Sequence, residues 1–116
     1  MYKVMKRDGK LVEFDISKIT GAMIKAFEAQ GKKYHPSVIN LLALQVSADF
    51  EPKIKDGFIA VEDIQDSVEK VLSDAGYAEV AKAYILYRKQ REKVRNVNSA
   101  LLNYKDLVDN YLKIND

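Results

Sequence analysis

The stretch from Val4 to Ile19, Val-Met-Lys-Arg-Asp-Gly-Lys-Leu-Val-Glu-Phe-Asp-Ile-Ser-Lys-Ile, constrains the fold more than any other part of the chain. Asp8-Gly9 separates two short β-type runs, which predicts a hairpin with strands over residues 2–7 and 10–14. Asp15 and Ser17 then offer side-chain oxygens that start a helix. Strand, turn, strand and helix in so short a space make a rigid corner, and three cations, Lys6, Arg7 and Lys18, are expected to gather around it. Adjacent strand residues point to opposite faces, so only one of Lys6 and Arg7 is expected to share a face with Lys18. Such a cluster suits a polyphosphate, with a nucleotide as the leading candidate ligand. The same lysines also fit a bland role, discouraging edge-to-edge strand pairing.

The rest of the chain reads mostly as amphipathic helix. Ile19, Met23, Ala26 and Phe27 recur at helical spacing over residues 17–30, and Gly31 is placed to stop that helix. Pro36 sits where a first-turn proline belongs, ahead of a face made by Ile39, Leu42, Ala43, Val46 and Phe50, with Pro52 just beyond. Residues 57–61 form a short apolar run after a Lys/Asp/Gly turn and are expected to be a third strand. A helix follows, with Glu62 and Asp63 in its first turn, where the helix dipole favours acids. Ile64, Val68, Val71, Leu72 and Ala75 make its buried face, and Gly76 ends it. Residues 77–95 are predicted helical with Val80, Ala81, Tyr84 and Tyr87 inward. The tail, 98–116, places Leu101, Tyr104, Val108 and Tyr111 at helical spacing and reads as a fifth helix. Its abrupt end at Asp116 reads as a cut through a longer protein.

Composition narrows the function classes. At 116 residues, 47% apolar and 31% charged, the sequence fits one soluble globular domain, and a cytoplasmic setting is expected. No run approaches the eighteen or so apolar residues that span a bilayer, and Met1-Tyr2-Lys3 opens no signal peptide. The absence of cysteine excludes disulfides, zinc–thiolate sites and thiyl radical chemistry from these residues. The single histidine, His35, precedes Pro36 and is expected at a helix entrance rather than on a metal. No Gly-rich phosphate loop and no Ser/His/Asp or Cys/His set is present, so no catalytic residue and no metal ligand is assigned.

The net charge of +2 hides segregation: residues 1–33 and 78–96 are basic, and residues 34–77 are acidic. Charge laid out in this way can focus a field on an anion, and it also fits ordinary solvated helix faces. Arg88, Arg91 and Arg95 follow Tyr84 along one helix face, with Lys82, Lys89 and Lys93 broadening the positive surface. Arginine forks match phosphate oxygens and a tyrosine can stack on a base, though cations also favour a helix C-terminus for structural reasons.

Four blocks in order, Val4–Gly9, Val12–Ile19, Ile59–Glu69 and Ala81–Arg91, resemble the ATP-cone, the regulatory nucleotide-binding domain at the N-terminus of ribonucleotide reductases. The resemblance covers roughly residues 2–95. The tail Asp109-Asn110-Tyr111-Leu112 is most similar to the anaerobic, glycyl-radical class, just ahead of its catalytic domain. The resemblance implies an α+β fold in which a small three-stranded sheet, the hairpin plus one short strand, packs with four helices. A C-terminal helix is added to these. It divides the chain into a cone, residues 1–96, and a linker helix, 97–116, leading to a catalytic domain that must lie elsewhere.

It further implies ATP or dATP as allosteric effector, with Mg²⁺, bound between the hairpin and the helices. Lys6 and Arg7 then match the phosphate-contacting end of the first strand, and Lys18 a phosphate ligand. Asp15 matches a sugar or base contact. Val4, Val12, Glu13, Phe14 and Ile19 complete the set around the nucleotide, Val61 and Gln65 match the pocket wall, and one or more of Arg88, Lys89 and Arg91 match the basic helix end. Some members have a hydroxyl at the Val61 position and a histidine at the Gln65 position, so a second nucleotide is not implied. Repressor relatives carry a zinc ribbon, which this cysteine-free chain lacks. Expected partners are the nucleotide, the reductase's catalytic domain and other cones. A membrane is not expected, and nucleic acid only under a rival reading through the Arg88–Arg95 face. A purely structural docking domain is a further alternative.

Overall fold

The computed structural model describes residues 2–92. The elements run β1 (Lys3–Met5), β2 (Leu11–Glu13), α1 (Ile16–Ala29), α2 (Pro36–Phe50), β3 (Phe58–Ala60) and α3 (Val61–Asp74). A last helix, α4, covers residues 78–92. The chain divides into two compact units between Ile85 and Leu86, so α4 begins in the first and continues into the second. The α+β expectation of three strands and four helices is met. The fifth helix expected over 98–116 lies outside the described residues.

The sheet has the order β2-β1-β3. β1 pairs antiparallel with β2 (Val4 opposite Val12) and parallel with β3 (Val4 opposite Ile59). A parallel pair cannot be closed by a tight turn, and α1 and α2 form the crossover that joins these two strands. Strand alternation puts Val4, Val12 and Ile59 on one face, and Val4 and Ile59 are buried there. Lys3, Met5, Leu11 and Glu13 take the other face.

The first turn differs from expectation, while the Lys/Asp/Gly turn before β3 is present as expected. The strands stop at Met5 and start at Leu11, so Lys6 and Arg7 are turn residues and not part of β1. Gly9 N–H donates to the Lys6 carbonyl (2.9 Å) and Lys6 N–H to the Lys10 carbonyl (2.8 Å), while the Asp8 carboxylate accepts from Lys10 N–H (3.0 Å). Gly9 alone in this turn has a positive φ, 86°, which marks a three-residue loop closed by a glycine bulge. The two-residue turn with both central residues left-handed occurs instead at Asp56-Gly57, with φ of 55° and 82°. Lys55 and Phe58 exchange backbone hydrogen bonds of 3.0 and 3.1 Å across it. The chain thereby turns directly into β3.

Helix ends follow local chemistry. Asp15 caps α1, accepting from Ser17 N–H (3.0 Å) and Ser17 Oγ (2.7 Å), and these two bonds hold its carboxyl below the usual range. His35 Nδ1 accepts from Ser37 N–H at the start of α2, with Pro36 in the first turn as expected. Past Gly31 and Gly76, Lys32 N–H reaches the Phe27 carbonyl and Tyr77 N–H the Leu72 carbonyl, the six-to-one bond that seals a helix C-terminus.

The expected apolar faces of α1 and α2 are the buried ones, with Met23, Phe27, Val46 and Phe50 essentially inaccessible. Each such side chain contributes about 1.5–3 kcal/mol by burial. Ala75 is a correction, since it is the exposed C-cap of α3 and not part of its inner face. Ser67 takes an unpredicted place in the core of that face. Its hydroxyl donates to Asp49 Oδ2 on α2 (2.7 Å), and Lys70 Nζ donates to Asp49 Oδ1 (3.1 Å). Tyr2, Phe14 and Phe50 form an aromatic triad with ring centroids 4.8–5.9 Å apart, pinning the hairpin base to the end of α2.

Two stability tests follow from these contacts. Gly57→Ala forces a side chain into a left-handed position and is expected to destabilise by about 1–2 kcal/mol in denaturant titration. The Ser67 hydrogen bond, then that of Lys70, lowers the Asp49 carboxyl below its ordinary value of 3.8. Its contribution is therefore complete above that value and lost as pH falls through the lowered one. Asp49→Ala leaves the Ser67 hydroxyl buried without its acceptor and should remove about 1–3 kcal/mol at neutral pH. The same variant should flatten the acid limb of the stability profile.

Candidate functional site

The parallel register decides which residues meet. Met5 stands opposite Ala60, so the segments leaving β1 and β3 emerge at the same edge of the sheet. Lys6 and Arg7 follow β1 there, and Val61, Glu62 and Gln65 follow β3 in the first turns of α3. The two segments touch: Arg7 Nε lies 3.2 Å from Glu62 Oε1, with side chains 28% and 43% exposed. Ala60 caps α3 without a side-chain hydrogen bond, so the helix opens onto this edge with Glu62 and Asp63 as its only first-turn charges.

The third expected cation, Lys18, follows β2 rather than β1. Glu13 at the end of β2 is opposite Lys3, the start of β1, so Asp15 and Lys18 follow the far end of the hairpin from Lys6 and Arg7. Three strand residues separate the two ends, roughly 10 Å of strand. Lys18 itself lies in the first turn of α1, which Asp15 caps. Lys6 and Lys18 are exposed and form no salt bridge among the described residues.

The remaining expected site residues divide by environment. Val4 and Ile19 are buried in the core, and Phe14 packs with Tyr2 and Phe50. Val12 and Val61 are half-buried. Glu13 is on the exposed side of the sheet, 3.9 Å from Lys3, and Asp15 is engaged as the α1 cap. Arg88, Lys89 and Arg91 belong to the second unit. There Arg91 Nη1 donates to the Tyr87 hydroxyl (3.0 Å), its guanidinium 5.7 Å from that ring's centre. Tyr84, expected inward and also considered for stacking on a base, is 5% exposed and belongs to the core. Arg95 lies outside the described residues.

Two features of the edge were not legible as site features. One is Glu62, read from the sequence only as a helix-dipole acid. The other is the state of Gln65. Its Oε1 is fully buried and finds no hydrogen-bond partner among the described residues. A buried acceptor left unpaired is unfavourable by about 1–3 kcal/mol, and most native structures avoid it. No group of three or more His, Cys, Asp or Glu is placed to hold a metal ion, and no helix is long and apolar enough to cross a membrane, among the described residues.

The model of the ATP cone domain family matches residues 2–93. The chain belongs to the ATP cone domain family. Its relatives include the vitamin B12-dependent ribonucleoside-diphosphate reductase of Mycobacterium tuberculosis, 38% identical over 104 residues that cover 90% of this chain and 14% of the relative. The ribonucleoside-diphosphate reductase subunit alpha of Chlamydia pneumoniae is 42% identical over 98 residues, 79% of this chain and 9% of the relative. The anaerobic ribonucleoside-triphosphate reductase of Salmonella typhimurium is 34% identical over 118 residues, 86% and 16% respectively. The cone therefore spans a small fraction of each of these relatives.

Within the cone, the unpaired Gln65 oxygen gives a test that needs no ligand. Gln65→Leu keeps the side-chain size and removes the unmet acceptor. It is expected to stabilise the ligand-free domain by about 1 kcal/mol, read as a rise of a few degrees in thermal denaturation.

Proposed function

We propose that this cone is the nucleotide-sensing module of a ribonucleotide reductase, binding ATP as the signal to run and dATP as the signal to stop. The observation that carries the reading is the shared edge of β1 and β3, where Lys6 and Arg7 meet the uncapped start of α3 beside the unpaired Gln65 acceptor. Lys6 and Arg7 hold the phosphates from one end of the hairpin. Lys18, in the first turn of α1, adds a further phosphate contact, and several separate cations suit a nucleoside triphosphate better than a compact anion. Gln65 Oε1 accepts from an N–H or O–H donor of the nucleoside, which removes its penalty. Mg²⁺ travels with the phosphates. The chain's own role is to bind and report, and turnover belongs to the catalytic domain of the larger protein.

ATP and dATP share every phosphate and differ by one hydroxyl. A hydrogen bond from that group contributes about 1 kcal/mol, whereas turning a two-state equilibrium from 1:99 to 99:1 takes about 5.5 kcal/mol. A ligand moves such an equilibrium only through its different affinity for the two states. One cone therefore cannot supply an on/off switch from the hydroxyl alone. Several cones acting together multiply the difference, which supports association between cones as the way the signal is expressed.

Calorimetry with ATP and dATP, with and without Mg²⁺, tests the reading. Both nucleotides should bind, and Lys6→Ala or Lys18→Ala should weaken binding about 10- to 100-fold, the loss of one charge-assisted phosphate contact. Absence of binding at millimolar nucleotide would overturn it. Indifference to dATP together with steeply salt-dependent binding of oligonucleotides would transfer the function to nucleic acid.

A further inference from the structure

We propose that Glu62 is an intramolecular rival of the ligand: its carboxylate holds Arg7 in the empty cone and yields it to the phosphates on binding, so that Glu62 sets the affinity of the site. The inference deepens the nucleotide reading and rests on it. Arg7 and Glu62 come from distant parts of the sequence and meet because β1 and β3 end side by side, Met5 opposite Ala60. Their contact, 3.2 Å from Nε to Oε1, engages the guanidinium that stands at the cationic end of the hairpin. With 28% and 43% of the two side chains exposed, the pair is open to solvent and can exchange without opening the core.

The competitors for Arg7 are a carboxylate with one negative charge and a polyphosphate with several, whose oxygens also fit the guanidinium fork bidentately. The phosphate wins, but only after displacing Glu62, so its net gain at Arg7 is smaller than at an unpaired arginine. Glu62 loses little by the exchange. It remains in the first turn of α3, where the helix dipole favours an acid with or without Arg7. The exchange also removes the Arg7–Glu62 contact between the hairpin turn and α3, giving binding a local structural consequence at the helix start.

The test is a double-mutant cycle on Arg7 and Glu62, titrated by calorimetry with ATP and, separately, with inorganic tripolyphosphate. Glu62→Gln should tighten both ligands two- to fivefold, the fold-change corresponding to up to about 1 kcal/mol for an exposed ion pair. Glu62→Ala is a second variant with the same expectation. In an Arg7→Ala background the gain should vanish, because no guanidinium remains to be contested. A gain that survives there would mean that Glu62 merely repels phosphate, and a loss of affinity in Glu62→Gln would mean that it positions Arg7. Either result overturns the proposal. If ATP binds tightly and Glu62→Gln changes nothing, the exchange fails while the nucleotide reading stands. If tripolyphosphate follows the predicted cycle but ATP binds no better than it, the nucleotide reading fails while the exchange stands.

Discussion

The parallel ladder between β1 and β3 is the constraint on which the rest of this molecule depends. Each strand is only three residues long and would not persist alone, since isolated short strands are marginal in water. They persist because Val4 and Ile59 are driven into the same core as Phe27, Phe50 and Met23. Parallel pairing then forces a long crossover, which is where α1 and α2 belong. It also sets the two strand exits at one edge. Antiparallel pairing of the same residues would have sent β3's exit to the opposite edge and left Arg7 far from Glu62.

The edge so formed is polar, part-exposed and incompletely satisfied, in contrast with the opposite helix interface. Asp49, Ser67 and Lys70 form a closed set of hydrogen bonds between α2 and α3, with the buried hydroxyl fully engaged. At the start of α3 a buried amide oxygen goes unpaired and the nearby ion pair is half in solvent. Proteins concentrate unmet groups where a ligand completes them. One helix thus carries a structural network along its middle and a binding edge at its start.

Much of the fold was legible in local chemistry. The buried faces of α1 and α2, the Asp15 cap, Pro36 in a first turn and the stops at Gly31 and Gly76 depend on neighbours within one or two helical turns, and periodicity reads these well. The misreadings also have local causes. Asp8-Gly9 reads as a two-residue turn because composition cannot distinguish that from a loop with a glycine bulge. In the structure Gly9 alone in this loop has a positive φ and Lys6 faces Lys10, which takes Lys6 and Arg7 out of the strand. Ala75 looked buried by spacing, but the helix ended before it could be covered. The burial of Ser67 has no local signal, since its partner, Asp49, lies on another helix.

The sequence by itself determined the order of strands and helices and the cationic residues at the hairpin, because turn residues, caps and helical periodicity act over short range. Only the tertiary structure decided how those cations are arranged. Strand register, a long-range choice made by burial of Val4 and Ile59, brought the exits of β1 and β3 to one edge and set Arg7 against Glu62. Register acts on residues far apart in the chain, and no local pattern in either segment records which edge they will share.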